Sequence, residues 1–224
     1  MKKIAILTAM DKEFVQVEKL INELGAGDRF LLRHCGIGKV NAAMTVTKLL
    51  LTESVGGVIS TGCAGGNGQK VSVGDVVVAT AATYHDVFCG AEAAEWDFLG
   101  LPERMPADRG LLHAAGLVSA DGTPTDAPGL KFGLICTGDQ FITTVAEMDK
   151  IRQRFPDVLA VDMETASIAH VCHKFGVPFM SLRVISDTPG VDAHTDQYND
   201  FWATMAGRSF AALKNIITQL NSNF

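Results

Sequence analysis

Short apolar runs alternate along this chain with longer segments whose apolar residues recur every three or four positions. The runs Lys3–Thr8, Gly57–Thr61, Asp75–Thr83, Lys131–Thr137, Leu159–Met163 and Phe179–Ser186 read as strands. Several are β-branched and apolar on both faces, as strands buried under helices on each side are. Between them the spacing predicts helices over Asp11–Leu24, Lys39–Ser54, Arg109–Ser119, Thr144–Phe155, Glu164–Phe175 and Asn199–Leu220. Strand–helix alternation over the whole length predicts an α/β fold, a mixed sheet covered on both faces. No linker divides it, so residues 1–224 are expected to form one domain. Residues 84–108, with Gly90, Gly100, Pro102 and Pro106, are the one long irregular stretch. Such a loop usually serves a function or an interface.

In open α/β sheets ligands sit at the carboxyl ends of strands. That rule selects Met10–Glu13, Gly62–Gly68, Tyr84–Asp86, Gly138–Ile142, Met163-Glu164 and Ser186-Asp187. The glycine run and the three carboxylates each have an ordinary structural explanation. The run Gly62-Cys63-Ala64-Gly65-Gly66-Asn67-Gly68 serves as a tight turn, or lets backbone approach a ligand closely. It matches neither the dinucleotide fingerprint nor the P-loop. Gly36-Ile37-Gly38-Lys39, which ends a strand-like segment and opens a helix, reads more readily as a packed turn. Asp187 reads as a helix cap, or as a general acid in a dry pocket. Glu164 and Glu13 suit the first turn of a helix, where a carboxylate complements the dipole. Alternatively, Glu164 accepts from the two hydroxyls of a diol, and Glu13 activates a water. Singly, each carboxylate loses to its structural explanation. Together, at three strand ends, they suit cleavage of a sugar bond through a cationic transition state.

Composition narrows the ligand. Lys+Arg 19 against Asp+Glu 25 leaves a net charge of −6. Without clustered basic residues, a nucleic-acid polymer is not the expected partner. The longest uncharged stretch, Ser54–Gln69, is broken by glycines and is no membrane span. Met1–Met10 superficially resembles a signal peptide, yet ends in Asp11-Lys12-Glu13 without a cleavage site and reads better as a buried strand. The 5 cysteines are odd in number and lack C-x-x-C spacing, as in a reduced, cytoplasmic protein. His170 and His173 lie i, i+3 among apolar neighbours and read as structural, so no metal is expected. His85 and His194 have no assignment.

The same segments resemble the methylthioadenosine/S-adenosylhomocysteine nucleosidases of the nucleoside phosphorylase superfamily. The landmarks are Ala9-Met10-Asp11-Lys12-Glu13, Gly36-Ile37-Gly38-Lys39-Val40-Asn41-Ala42-Ala43, Thr61-Gly62-Cys63-Ala64-Gly65-Gly66 and Val73-Gly74-Asp75-Val76-Val77-Val78. They continue with Tyr84-His85-Asp86, Gly138-Asp139-Gln140-Phe141-Ile142, Val161-Asp162-Met163-Glu164 and Ile185-Ser186-Asp187. The resemblance implies a three-layer αβα domain, a homodimer, and no metal or organic cofactor. It implies that Asp187 serves the purine as acid, Glu13 holds and deprotonates the attacking water, and Glu164 binds ribose hydroxyls with Met163 against the sugar. Phe141 would stack on the purine and the backbone of Ile142 would read its edge. Met10, Cys63, Ala64 and Gly65 would complete the nucleoside site. Two residues depart from the family's pattern: Cys63 stands where it usually has Ser, and Asp162 where it usually has Glu. Residues 87–105, which in the family help cover the 5′ substituent, match poorly. A phosphorylase of the same fold and a non-catalytic nucleoside binder are the competing expectations. Among substrates, methylthioadenosine, adenosylhomocysteine, 5′-deoxyadenosine and aminodeoxyfutalosine remain open.

Overall fold

In the computed structural model, residues 2–88, 100–190, 194–202 and 211–223 are described. Strand β1 (Lys3–Thr8) shows how the layers arise, because its side chains divide by parity. Ile4 and Ile6 join one core with Val17 and Ile21 of α1 (Asp11–Glu23), Leu111 of α3 (Arg109–Ala114) and Ile216 of α7 (Ala211–Asn223). Ala5 and Leu7 join a second core with Val46 of α2 (Lys39–Thr52) and Ile168 of α5 (Thr165–Phe175). Helices therefore cover both faces of a mixed central sheet, as the alternation predicts.

The sheet also curls, which the hydrophobic pattern does not reveal. β1 lies parallel between β2 (Phe30–His34) and β3 (Val55–Gly66). β3 pairs in parallel with β8 (Phe179–Asp187), and β8 runs antiparallel to β4 (Val76–Tyr84). β4 continues in parallel to β6 (Leu130–Thr137), and β6 to β7 (Val158–Asp162). β7 then returns to the end of β3, Gly65 opposite Val161 and Gly66 opposite Ala160. Five strands thus close a ring, with β5 (Met105–Pro106) on the outer edge of β4. Inside it lie Ala64, Val77, Ala79, Ile135, Ala160 and Ile185, opposite in parity to the residues that face helices. On the far flank α4 (Val145–Arg154) buries Met148 and Ile151 against Leu134 and Val158. Its start was legible in sequence: Thr144 and Glu147 form a capping box.

Three boundaries differ from expectation. β3 runs on through Gly62-Cys63-Ala64-Gly65-Gly66, so most of the glycine run is strand rather than loop. Residues without bulk let β3 bend against β7 and β8 at once. The expected helix 109–119 is a short α3; of the expected helix 199–220, residues 199–200 belong to α6 (His194–Asp200), which starts earlier than expected, and residues 211–220 to α7, while residues 203–210 lie outside the described residues. Residues 89–99 of the irregular stretch and Cys89 also lie outside them.

The ring closure admits no side chain at Gly66. A Cβ there would sit 2.6 Å from Ile185 Cγ2 and 2.9 Å from Val71 Cγ2. Gly66→Ala is expected to lower stability by about 1–3 kcal/mol, the usual cost of overpacking a core. The shift in urea midpoint measures it.

Candidate active site

The strand ends converge on one cavity of about 400 Å³. All ten residues expected at a site (Met10, Glu13, Cys63, Ala64, Gly65, Phe141, Ile142, Met163, Glu164 and Asp187) line it. Ala9, Val161, Asp162, Ser186, Ile37, Gln140 and Tyr198 complete the wall. Tyr84–Asp86, the sixth strand end, does not reach it.

Glu13 is the third residue of α1 and is 1% exposed. Its Oε2 accepts from the backbone N–H groups of Ala9 (2.9 Å) and Met10 (3.0 Å), which holds the helix start. Its Oε1 accepts from Cys63 N at 2.8 Å, on β3. The dipole explanation of Glu13 is therefore half the account; the other half spans the site. Gly62 makes this possible, since a Cβ there would lie 2.7 Å from Arg183 Nη1 and against the Glu13 carboxylate. Burial pushes the Glu13 carboxyl above its ordinary range, against the pull of Arg183 and the three N–H groups.

Glu164 is the residue before α5, yet caps nothing with its side chain. Its Oε1 accepts from Gly38 N at 2.9 Å, and its Oε2 lies 3.6 Å from Arg183 Nη2. Gly38, at φ 92, takes a conformation that suits glycine and aims its N–H inward. Burial, Asp162 and Glu13 push the Glu164 carboxyl up to about 7, with Arg183 opposing.

Asp187 is the last residue of β8, 1% exposed, and not a helix cap. Ser186 Oγ donates to its Oδ1 at 2.6 Å. Phe141, 57% exposed, stands at the mouth with its ring 6.2 Å from that of Tyr198, edge to face. Tyr198 Oη donates to Met10 Sδ at 3.4 Å. The cavity thus presents one aromatic ring at its mouth and the three buried carboxyl groups of Glu13, Glu164 and Asp187 along its wall.

Under the floor lies Arg183, 1% exposed. Its Nε meets Asp162 Oδ2 at 2.7 Å, and Nη2 donates to Ser60 Oγ at 3.0 Å. Thr137 Oγ1 donates to Asp162 Oδ1 at 2.5 Å, and Thr165 Oγ1 and N donate to the same carboxylate. Burial works against the cation, but Asp162, Glu164 and Glu13 raise its hold on the proton beyond the ordinary arginine range. Sequence reasoning missed Arg183, although a charged residue inside the apolar run Phe179–Ser186 is a readable signal. Tyr198 had no such signal. His170 Nδ1 pairs with Tyr84 Oη at 3.1 Å, and among the described residues no group of His, Cys, Asp and Glu is arranged to hold a metal ion.

The fold and this cavity define an α/β protein of the phosphorylase superfamily, whose family model matches residues 3–218. A 5′-methylthioadenosine/S-adenosylhomocysteine nucleosidase of Anoxybacillus flavithermus is 37% identical over 97% of this chain and 99% of its own. The crystal structure of the Neisseria meningitidis nucleosidase of that name, in complex with methylthio-immucillin-A, matches with a TM-score of 0.85 and 32% identity, covering 98% and 100% of the two chains. Helicobacter pylori futalosine hydrolase matches at TM-score 0.79 and 28% identity over 98% of each. The chain belongs to the 5′-methylthioadenosine/S-adenosylhomocysteine nucleosidase family within that superfamily.

Glu164 makes stability depend on pH. Its folded value of about 7 lies above the ordinary 4.5, so between the two the folded protein keeps a proton the unfolded chain has lost. Stability then falls as pH rises through that window. Glu13, also raised, acts in the same sense; His85, which burial holds below 6.5, acts in the opposite one. Glu164→Gln removes only the Glu164 part. Denaturant midpoints of the ligand-free variant should gain on wild type between about pH 4.5 and about pH 7; a constant gap would refute the assignment.

Proposed function

We propose that this protein hydrolyses the N-glycosidic bond of 5′-substituted adenosines, methylthioadenosine and S-adenosylhomocysteine first among them, and releases adenine. The observation that carries the reading is the convergence of Glu13, Glu164 and Asp187, each nearly fully buried, on one cavity beside an aromatic mouth. Asp187 gives a proton to the purine, so that adenine leaves neutral. Glu13, held by three N–H groups and raised by burial, fixes the attacking water and takes its proton. Glu164 accepts from the ribose hydroxyls, with Met163 against the sugar. Phe141 stacks on the base and Ile142 offers its backbone to the base's edge, while Met10, Cys63, Ala64 and Gly65 form the remaining wall. The negative charge around the sugar stabilises the ribosyl cation as it forms. Cys63 brings a thiol where the family usually has a hydroxyl, and burial holds that thiol protonated.

Phosphorolysis is the weaker reading. Phosphate needs an uncommitted cation at the attacking position. Arg183 is near, but Asp162, Glu164 and Glu13 already neutralise it.

We further infer a homodimer formed through α2. Val40, Met44 and Leu51 stand on one face of that helix, 67%, 67% and 71% exposed, with Ile37 just before it. This stripe begins beside the cavity, at Ile37, so a second copy would close the site's rim. The four described cysteines are unpaired, in keeping with a cytoplasmic setting.

Adenine release from methylthioadenosine tests the chemistry. Wild type should release it at a rate indifferent to phosphate, and Glu13→Gln and Asp187→Asn should each lose about 10²–10⁴-fold in kcat. A phosphorylated sugar product would establish phosphorolysis; binding without turnover would establish a binder. A panel with S-adenosylhomocysteine, 5′-deoxyadenosine and aminodeoxyfutalosine ranks the 5′ tails by kcat/KM. For the dimer, sedimentation of Met44→Glu should show a monomer where wild type is dimeric.

A further inference from the structure

Tyr84-His85-Asp86 ends a strand without reaching the cavity, and no role above absorbs it. Asp86 follows β4 and faces the turn that carries Gly138 and Asp139. A Cβ on Gly138 would collide with the His85 ring and lie 3.0 Å from Asp86 Cγ, so the missing side chain makes room for both residues against that turn. There Asp86 Oδ2 accepts two bonds, one from Asp139 N at 2.9 Å and one from Lys39 Nζ at 2.7 Å. Lys39 is in turn tied to Asp139: its backbone N–H donates to Asp139 Oδ1 at 2.8 Å, and its Nζ lies 3.7 Å from Oδ2. The ammonium also sits 5.6 Å above the Tyr84 ring. Both charged side chains of the tighter pair are mostly shielded, 24% and 19% exposed.

The two segments joined in this way serve different halves of the cavity. One residue before Lys39, Gly38 N–H holds the Glu164 carboxylate. Two and three residues beyond Asp139 come Phe141 and Ile142, on the cavity wall. α2 and the β6–α4 loop belong to separate parts of the chain; two contacts join them directly, both from Lys39 to Asp139, and two more bridge them through Asp86.

We propose that Asp86, with Lys39, is a positioning residue that latches the sugar-side turn at Gly38 to the base-side loop at Phe141, so that the two halves of a nucleoside are gripped at a fixed separation. The inference rests on the nucleosidase reading for what fills the cavity, but not on turnover. Breaking the latch leaves Glu13 and Asp187 in place, because their hydrogen bonds involve neither segment. Its signature is therefore loss of grip, larger in KM than in kcat.

The test compares wild type with Asp86→Ala, Lys39→Ala and Asp86→Asn. Adenine binding is followed by calorimetry, methylthioadenosine turnover by adenine release, and ligand-free stability by thermal melting. Asp86→Ala and Lys39→Ala should bind adenine about tenfold more weakly and raise KM by a similar factor, as displaced positioning groups do. The Asp86→Asn variant keeps an oxygen for Asp139 N–H and should recover part of the loss. Adenine affinity and KM within about twofold of wild type overturn the latch, even if melting falls. Should Asp86→Ala not fold, Lys39→Ala decides alone. A wild type that binds adenine but never releases it from a nucleoside sinks the hydrolytic reading and leaves the latch to be judged on adenine affinity. A wild type that binds no adenine overturns both.

Discussion

One buried cation organises the centre of this molecule. Arg183 lies among Asp162, Glu164 and Glu13 with almost no access to water. Three carboxylates crowded in a dry interior would repel one another and protonate; a guanidinium with five donors in a fixed fork is the residue that can hold such a group together. Its Nε takes Asp162 and its Nη2 reaches Glu164 and Ser60, so its direction is determined as well as its charge. Burying these ions is expensive, and removing one partner costs more than the set contributes. In the hydrolysis proposed above, the negative charge left over stands beside a sugar that becomes positive.

Much of the layered fold was legible because it depends on local pattern. β1, α2, β6, α5 and β8 follow from apolar runs and from spacing, and the capping box of α4 marks its start. The ring of strands was not legible. It depends on β7 meeting β3 at Gly65 and Gly66, a pairing between residues nearly a hundred positions apart. Periodicity describes which face of a strand is buried and says nothing of its neighbour.

The site divides in the same way. Glu13, Glu164 and Asp187 stand at strand ends, so a rule about parallel sheets finds their places without finding their partners. What the sequence could not supply is that each would be held from elsewhere: Glu13 by Cys63, Glu164 by Gly38 and Arg183, Asp187 by its neighbour Ser186. Tyr198 escaped altogether, because it reaches the cavity from α6, in a segment whose start the periodicity misplaced. Most of the glycine run is strand rather than a tight turn, with Cys63, Ala64 and Gly65 on the cavity wall. Its lack of side chains serves close packing of Glu13, Arg183 and Ile185 against β3.

The position of β8 has a consequence for how the protein is made. This strand is inserted between β3 and β4, though both precede it by about a hundred residues, and it carries Arg183 and Asp187. A growing chain thus exposes Glu13 long before its counter-charge Arg183 exists, and the strand ring stays open at that seam. Such non-local pairing is slow to form and leaves strand edges unpaired meanwhile. Until residue 187 has left the ribosome neither the barrel-like ring nor the cavity wall at Ser186 and Asp187 is complete, so both close in a single late event.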